Sequence, residues 1–284
     1  MDEIEPRRVL ITGCSSGIGR ACALGLLERG YQVVASARRA ADVAALKQAG
    51  LPAVRIDLAD SDSIASGLDA ALQLTNGRLD ALFNNGAFGL PGAVEDLTPE
   101  ALRAQFETNL FGWHDLTRRV IPLMRAQGSG RIIQNSSVLG LVALPFRGAY
   151  VASKFALEGL TDTLRLELAG SGIQVILIEP GPIESRFREN ARAAFQTYVD
   201  PAGSPHAEAY QCMAERLEQE GAVQPFTLPA DAVMKKLILA LESPTPKARY
   251  AVTLPTHLLG ALRRLLPTWA LDALLRKVSR GGRG

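Results

Sequence analysis

The sequence predicts an α/β protein, a single-domain doubly wound parallel sheet with helices on both faces and a C-terminal helical extension. Short apolar runs alternate with helical patterns from Arg8 to about Leu254, the form taken by parallel strands buried on both sides. The first run leads straight into a glycine-rich turn and a helix of small apolar residues. The side chains able to do chemistry fall just after the strand candidates, at the carboxyl edge where such sheets bind ligands.

The strand candidates are Val9–Thr12, Val33–Ser36, Ala53–Ile56, Ala81–Asn84, Arg131–Asn135, Gln174–Ile178 and Tyr250–Thr253. The first six are followed by the glycine loop, Arg38, Asp57, Asn85, Ser137 and Pro180 in turn. The loop itself, Gly13-Cys14-Ser15-Ser16-Gly17-Ile18-Gly19, sits between an apolar strand and the helical run Arg20–Leu27. In that context Gly13 permits a tight turn, Gly17 lets the backbone approach a pyrophosphate, and Gly19 allows close helix–sheet packing. The helix start then offers N–H groups and a partial positive charge to phosphates. After the second strand, where an NAD site normally carries an acid for the ribose, the chain has Ala37, Arg38 and Arg39. Guanidinium groups suit a phosphate, so NADP(H) is favoured over NAD(H); the plainer alternative is two solvated charges opening a helix.

Tyr150 and Lys154 lie one helical turn apart, thirteen positions after Ser137. A phenol titrating near ~10 is a weak acid–base group at neutral pH. A lysine at i+4 shares its helix face and should lower that value, while Ser137 can hold a carbonyl oxygen against the phenol. By chance alone, such a pair is a half-buried tyrosine beside a solvated lysine.

Taken together, the chain resembles the short-chain dehydrogenase/reductase family over nearly its whole length. Thr12–Gly19 fits the family's T-G-x-x-x-G-x-G. The resemblance implies a Rossmann fold with catalytic residues Asn109, Ser137, Tyr150 and Lys154, of which Asn109 bends a helix and exposes a carbonyl for a water that reprotonates Lys154. It implies NADP(H) contacts from Gly13, Ser15, Ser16, Gly17, Ile18, Gly19, Arg38 and Arg39, with Asp57 and Leu58 at the adenine. Asn85 and Gly86 would lie near the ribose, Tyr150 and Lys154 at the nicotinamide end, and Pro180, Gly181, Ile183 and Ser185 along the carboxamide. One motif departs from the pattern: Asn84-Asn85-Gly86-Ala87 has its small residues exchanged, and Gly86 is expected to loosen that loop. Within the family, the glycine loop, Ile178–Ile183 and Arg249–Thr253 look most like bacterial NADP-dependent oxidoreductases related to retinol and hydroxysteroid dehydrogenases.

Composition bounds the rest. An apolar content of 47% over 284 residues excludes a disordered chain, and a formal charge of +2 carries no nucleic-acid signal. Met1–Pro6 lacks the features of a signal peptide, and no apolar stretch approaches the ~18 residues of a spanning helix. Cys14, Cys22 and Cys212 lack metal-ligand spacing and read as reduced thiols in a cytoplasmic protein, with Cys14 a small filler and no metal expected.

Residues 184–230 break the regular rhythm, and the resemblance makes them the substrate-covering region. There Phe187, Phe195, Tyr198, Tyr210, Met213 and Phe226 could line an apolar pocket or anchor surface helices, and His206 reads as a solvated helix-start residue. The tail, 255–284, places Leu258, Leu259, Leu262, Leu265, Leu266 and Trp269 on one helical face with Arg263, Arg264, Arg276, Lys277, Arg280 and Arg283 elsewhere. Such a segment either caps the pocket or a subunit contact, or lies on an anionic membrane. The expected reaction is NADPH-dependent interconversion of an apolar aldehyde or ketone and its alcohol, in a homodimer or homotetramer. The competing readings are a 3-oxoacyl-thioester reductase and a non-catalytic NADP(H)-sensing protein.

Overall fold

Alternation along each strand decides which side of the sheet every side chain serves. Val9, Ile11, Val33 and Ala35 enter one buried cluster, while Leu10, Val34, Leu82 and Ile132 enter the other. Both faces are apolar, so helices must cover both. The computed structural model, which describes residues 7–218 and 226–281, shows how.

In chain order the elements are β1 (Arg8–Ile11), α1 (Gly17–Glu28), β2 (Gln32–Ala37), α2 (Ala40–Gln48), β3 (Ala53–Arg55), α3 (Ser61–Leu74), β4 (Ala81–Asn84), α4 (Pro99–Phe106), α5 (Gly112–Gln127), β5 (Gly130–Asn135), α6 (Gly148–Glu167), β6 (Ile173–Glu179), α7 (Phe187–Tyr198), α8 (Ala207–Glu218), α9 (Asp231–Glu242), β7 (Arg249–Ala251), α10 (Leu254–Leu265) and α11 (Thr268–Gly281). The strands form one sheet in the order β3-β2-β1-β4-β5-β6-β7, with every pairing parallel. All seven expected strands are present. The last ends early: Val252 and Thr253 leave the sheet and lead into α10.

Helices α1 and α9 cover the first face through Cys22, Leu26, Val233 and Leu237. Helices α3, α5 and α6 cover the second through Leu68, Leu116, Val120 and Leu157. Local signals set the helix starts: the Asp60 carboxylate accepts from the Asp62 and Ser63 amides at 3.0 and 3.1 Å, and Thr98 caps α4 with Pro99 in its first turn. Between α4 and α5, Glu107–Phe111 form a π-helical turn. Asn109 lies in that turn with its side chain buried.

Two further features hold the site in place. Arg249 of β7 bonds Glu158 and Asp162 of α6 and Glu179 of β6, clamping the site helix to the sheet edge. Gly112 opens α5 directly against the backbone after β3: a Cβ there would run into the Leu58 carbonyl, well inside van der Waals contact. Gly112→Ala should therefore destabilise the protein by about 3 kcal/mol, since a backbone neighbour cannot swing aside. A urea-unfolding midpoint within error of wild type would contradict this packing.

Candidate active site

The glycine loop is shaped by close backbone approach. Gly13 (φ 71°) and Gly17 (φ 56°) take left-handed conformations, and a Cβ on Gly13 would collide with the Gly86 Cα. A Cβ on Gly17 would lie 2.9 Å from the Ser185 Cβ, so Ser185 roofs the turn. Ser16 occupies the cap position of α1 without a side-chain cap, leaving the first N–H groups of the helix open to the cleft. A glycine cradle with free helix-start donors fits a dinucleotide's phosphates.

A hydrogen-bond chain ties this loop to the next strand ends. Thr12 Oγ1 accepts from both the Asn85 and Gly86 amides at 2.9 Å. Asn85 Nδ2 donates to the Thr12 carbonyl at 2.9 Å and to that of Gly13 at 3.3 Å, while its Oδ1 accepts from Asn135 Nδ2 at 2.8 Å. The Gly86 carbonyl accepts from Trp113 Nε1 at 2.7 Å. Gly86 therefore does not loosen the loop, contrary to the sequence expectation. Its amide and carbonyl are both held, and an added Cβ would meet Leu58 and Gly13 at 3.1–3.3 Å.

The chain continues to Lys154, whose Nζ donates to the Asn135 carbonyl at 2.8 Å and lies 4.3 Å from the Trp113 ring centroid. Burial lowers the Lys154 pKa to about 7, against the raising effect of Glu158 one turn on. Tyr150, 9% exposed, is pushed up to about 12 by burial, with hydrogen bonding to Ser137 pulling partly back. This reverses the direction expected from the sequence. The ammonium is spent on Asn135 and Trp113, 5.7 Å from the Tyr150 ring centroid, and desolvation dominates. Ser137 caps the short turn Val138–Gly140 by accepting from the Leu139 amide at 3.1 Å, which leaves its O–H available to donate.

Asn109 is fully buried. Its Oδ1 accepts from the Phe88 amide at 3.1 Å, and its Nδ2 donates to the Phe88 carbonyl at 2.9 Å and Ser153 Oγ at 3.3 Å. Its side chain thus braces the loop after β4.

Gly13, Ser15, Ser16, Gly17, Ile18, Asn85, Gly86, Ser137, Tyr150, Lys154, Pro180, Gly181, Ile183 and Ser185 all line one cleft of about 380 Å³. Gly19 sits behind it, against Asn85. The region over the cleft resolves the earlier ambiguity among its aromatics. Phe187 stacks edge-on against Tyr150 at 5.3 Å between centroids and lines the cleft with Met213. Phe195 and Tyr210 are buried with Leu90 and Ala101, Tyr198 packs beside them, and Phe226 is exposed. Tyr210 and Ser204 both donate to Asp96, pinning the cover to the loop after β4. His206 is not simply solvated: its Nε2 lies 2.5 Å from Glu95 Oε1. Residues 219–225 of the expected cover, with Met1–Pro6 and Arg283, lie outside the described residues.

Residues 7–196 match the family described as short chain dehydrogenase. The chain belongs to that family. It is similar to the uncharacterized oxidoreductase YbbO of Escherichia coli K12, with 42% identity over 274 residues and 96% of each chain covered. Human 17-beta-hydroxysteroid dehydrogenase type 1 is 34% identical over 260 residues, covering 86% of this chain and 77% of that one. Among solved structures, a short-chain dehydrogenase/reductase from Burkholderia phymatum in complex with NAD superposes with a TM-score of 0.76 at 28% identity, covering 93% of this chain and 94% of that one. This short-chain dehydrogenase is accordingly an oxidoreductase of a fold that binds nicotinamide dinucleotides.

At the far end of its sheet, Arg38, Arg39, Arg55 and Asp57 surround a shallow depression. Arg39 pairs with Asp42, with bonds of 2.7 and 3.0 Å, whereas Arg38 makes no side-chain hydrogen bond among the described residues. Arg55, missed in the sequence, donates to the Arg38 carbonyl at 3.0 Å and brings a further guanidinium to the rim. Leu58 is buried against Gly86 and Gly112. Asn135 and Trp113 were missed as well. Asn135 ends a strand without a motif, and nothing in local spacing marks a tryptophan as the floor beneath a lysine. Cys14 donates to the Ile11 carbonyl and burial pushes it up to about 12, as suits a filler.

A lysine lowered in the folded state costs stability below its folded pKa, and that cost fades as pH rises towards its unfolded value. Lys154→Met should therefore gain stability relative to wild type at pH 7, with the gain shrinking by about 3 kcal/mol by pH ~10, at about 1.4 kcal/mol per pKa unit. Parallel urea titrations at the two pH values measure it; a pH-independent difference would mean Lys154 is not buried as an ammonium.

Proposed function

We propose that this short-chain dehydrogenase is an NADPH-dependent carbonyl reductase that interconverts an apolar aldehyde or ketone and the corresponding alcohol. One observation carries the proposal: Ser137, Tyr150 and Lys154 line the same cleft as Gly13, Ser15, Ser16, Gly17 and Ile18 of the glycine loop. The cleft wall beyond Tyr150 is formed by Leu90, Leu139, Leu144, Phe187, Met213 and Leu217, which supports an apolar substrate. Arg38, beside Arg55 and without a side-chain hydrogen bond among the described residues, supports a phosphorylated ribose and hence NADP(H).

A bound nicotinamide supplies or takes up the hydride at the carbonyl carbon. The chain's own residues manage the oxygen. Tyr150 gives its proton to that oxygen as charge develops, and the Ser137 O–H donates a hydrogen bond to the same atom. A phenol raised to about 12 is fully protonated at neutral pH, ready as an acid, but the phenolate it leaves needs a cation. Lys154, one helical turn away in the same cleft and lowered by burial to about 7, is placed to become that cation once it is no longer held by Asn135 and Trp113 alone, and to return a proton. Asn109 acts as a positioning residue, holding Phe88 and Ser153 around the helix that carries Tyr150. A cytoplasmic setting suits the unpaired Cys14, Cys22 and Cys212, and a homodimer or homotetramer completes the reading.

In an NADPH-consumption assay with apolar aldehydes, Tyr150→Phe should cut kcat by roughly 10²–10⁴-fold; near wild-type turnover would remove Tyr150 from the acid role. Arg38→Asp should move the preference from NADPH towards NADH by at least tenfold in kcat/KM, about 1.4 kcal/mol. Arg39→Ala should move it little, because that guanidinium is already paired with Asp42. An unchanged preference in Arg38→Asp would exclude the phosphate assignment.

A further inference from the structure

Charge is unevenly divided along this chain. Residues 254–284 hold Arg263, Arg264, Arg276, Lys277, Arg280 and Arg283 against the single acid Asp272, a net +5 that leaves −3 for residues 1–253 of a chain whose total is +2. The structure also corrects the arrangement of apolar residues in that tail. They do not share one face. Leu259 and Leu266, with Leu271 and Leu275 of α11, pack inward on Val138, Val142 and Leu144. Leu254, Leu258 and Leu265 form a second, outward stripe on α10, 61%, 54% and 77% exposed, and Trp269 continues it at 75%.

Helix α10 is therefore apolar on both sides, and among the described residues only the inner side is covered. On the same two helices, Arg264, Arg276 and Lys277 are exposed and make no ion pair among the described residues. Arg263 lies 5.1 Å from the Phe155 ring centroid, with its charge still exposed. A second copy docked through the same face would bring these like charges together. An anionic lipid surface meets both properties at once: it neutralises the arginines and takes up Leu258, Leu265 and Trp269 at the headgroup boundary. We infer that the outer face of α10 and the start of α11 form a peripheral docking surface for anionic membranes. The inner face packs on Val138 and Leu144, which also line the cleft, so the bound lipid would lie beside the cleft wall. The inference does not depend on the reaction proposed above.

The full-length protein should co-sediment with phosphatidylcholine vesicles containing phosphatidylglycerol and stay in the supernatant with phosphatidylcholine alone. Added salt should reverse the binding, as screening of surface charge requires. Tryptophan emission should shift to the blue on binding, because Trp269 is exposed while Trp113 is already buried. The pair Leu265→Asn and Trp269→Ser, both at exposed positions, should keep the thermal midpoint and lower vesicle partitioning at least tenfold. Equal partitioning on both vesicle types would overturn the inference, as would undiminished binding by the pair. So would a wild-type dimer that the pair converts to monomer while neither protein binds vesicles.

Discussion

The carboxamide of Asn85 is shared among three strand ends, and the geometry of the site depends on that sharing. Its nitrogen holds the Thr12 and Gly13 carbonyls after β1, and its oxygen takes the Asn135 amide at the end of β5. Asn135 then spends its backbone carbonyl on Lys154. A parallel sheet leaves its carboxyl edge without further ladder partners. Here side-chain amides extend the ladder by one more row, fixing where the glycine turn and the site helix stand relative to each other. Gly13 and Gly86 permit this because their backbones meet where a Cβ on either would crowd the other.

Enclosure sets the electrostatics. With Trp113 beneath and Phe187 beside it, the Tyr150–Lys154 pair is desolvated, and both groups move towards their neutral forms. That environment favours a protonated phenol and a lysine near balance at neutral pH, useful for proton transfer and costly for folding. The clamp of Arg249 on Glu158, Asp162 and Glu179 offsets part of the difficulty by holding the site helix to β6 and β7. Glu158 also supports the charged form of Lys154. The site helix and its buried lysine thus share one cluster of charges.

The strands were legible because burial on both faces leaves unbroken apolar runs, as in Val9-Leu10-Ile11. The glycine loop and the Tyr150–Lys154 spacing were legible because each is a short local pattern. Other features depended on residues distant in sequence. Arg39 looked equivalent to Arg38 until Asp42 claimed it, and Arg55 comes to the same rim from a neighbouring strand. Asn109 braces Phe88, a contact that no spacing along the chain discloses.

What the sequence determined by itself is the order of strands and helices along the chain, the glycine turn after β1 and the Tyr150–Lys154 spacing, because periodicity, glycine and i+4 spacing are properties of adjacent residues. Tertiary structure alone decided the direction of the Tyr150 shift, which arginine pairs with Asp42 and how the tail divides its leucines between an inner and an outer face. Those outcomes follow from desolvation and pairing, and both are set by whatever the fold brings against a side chain.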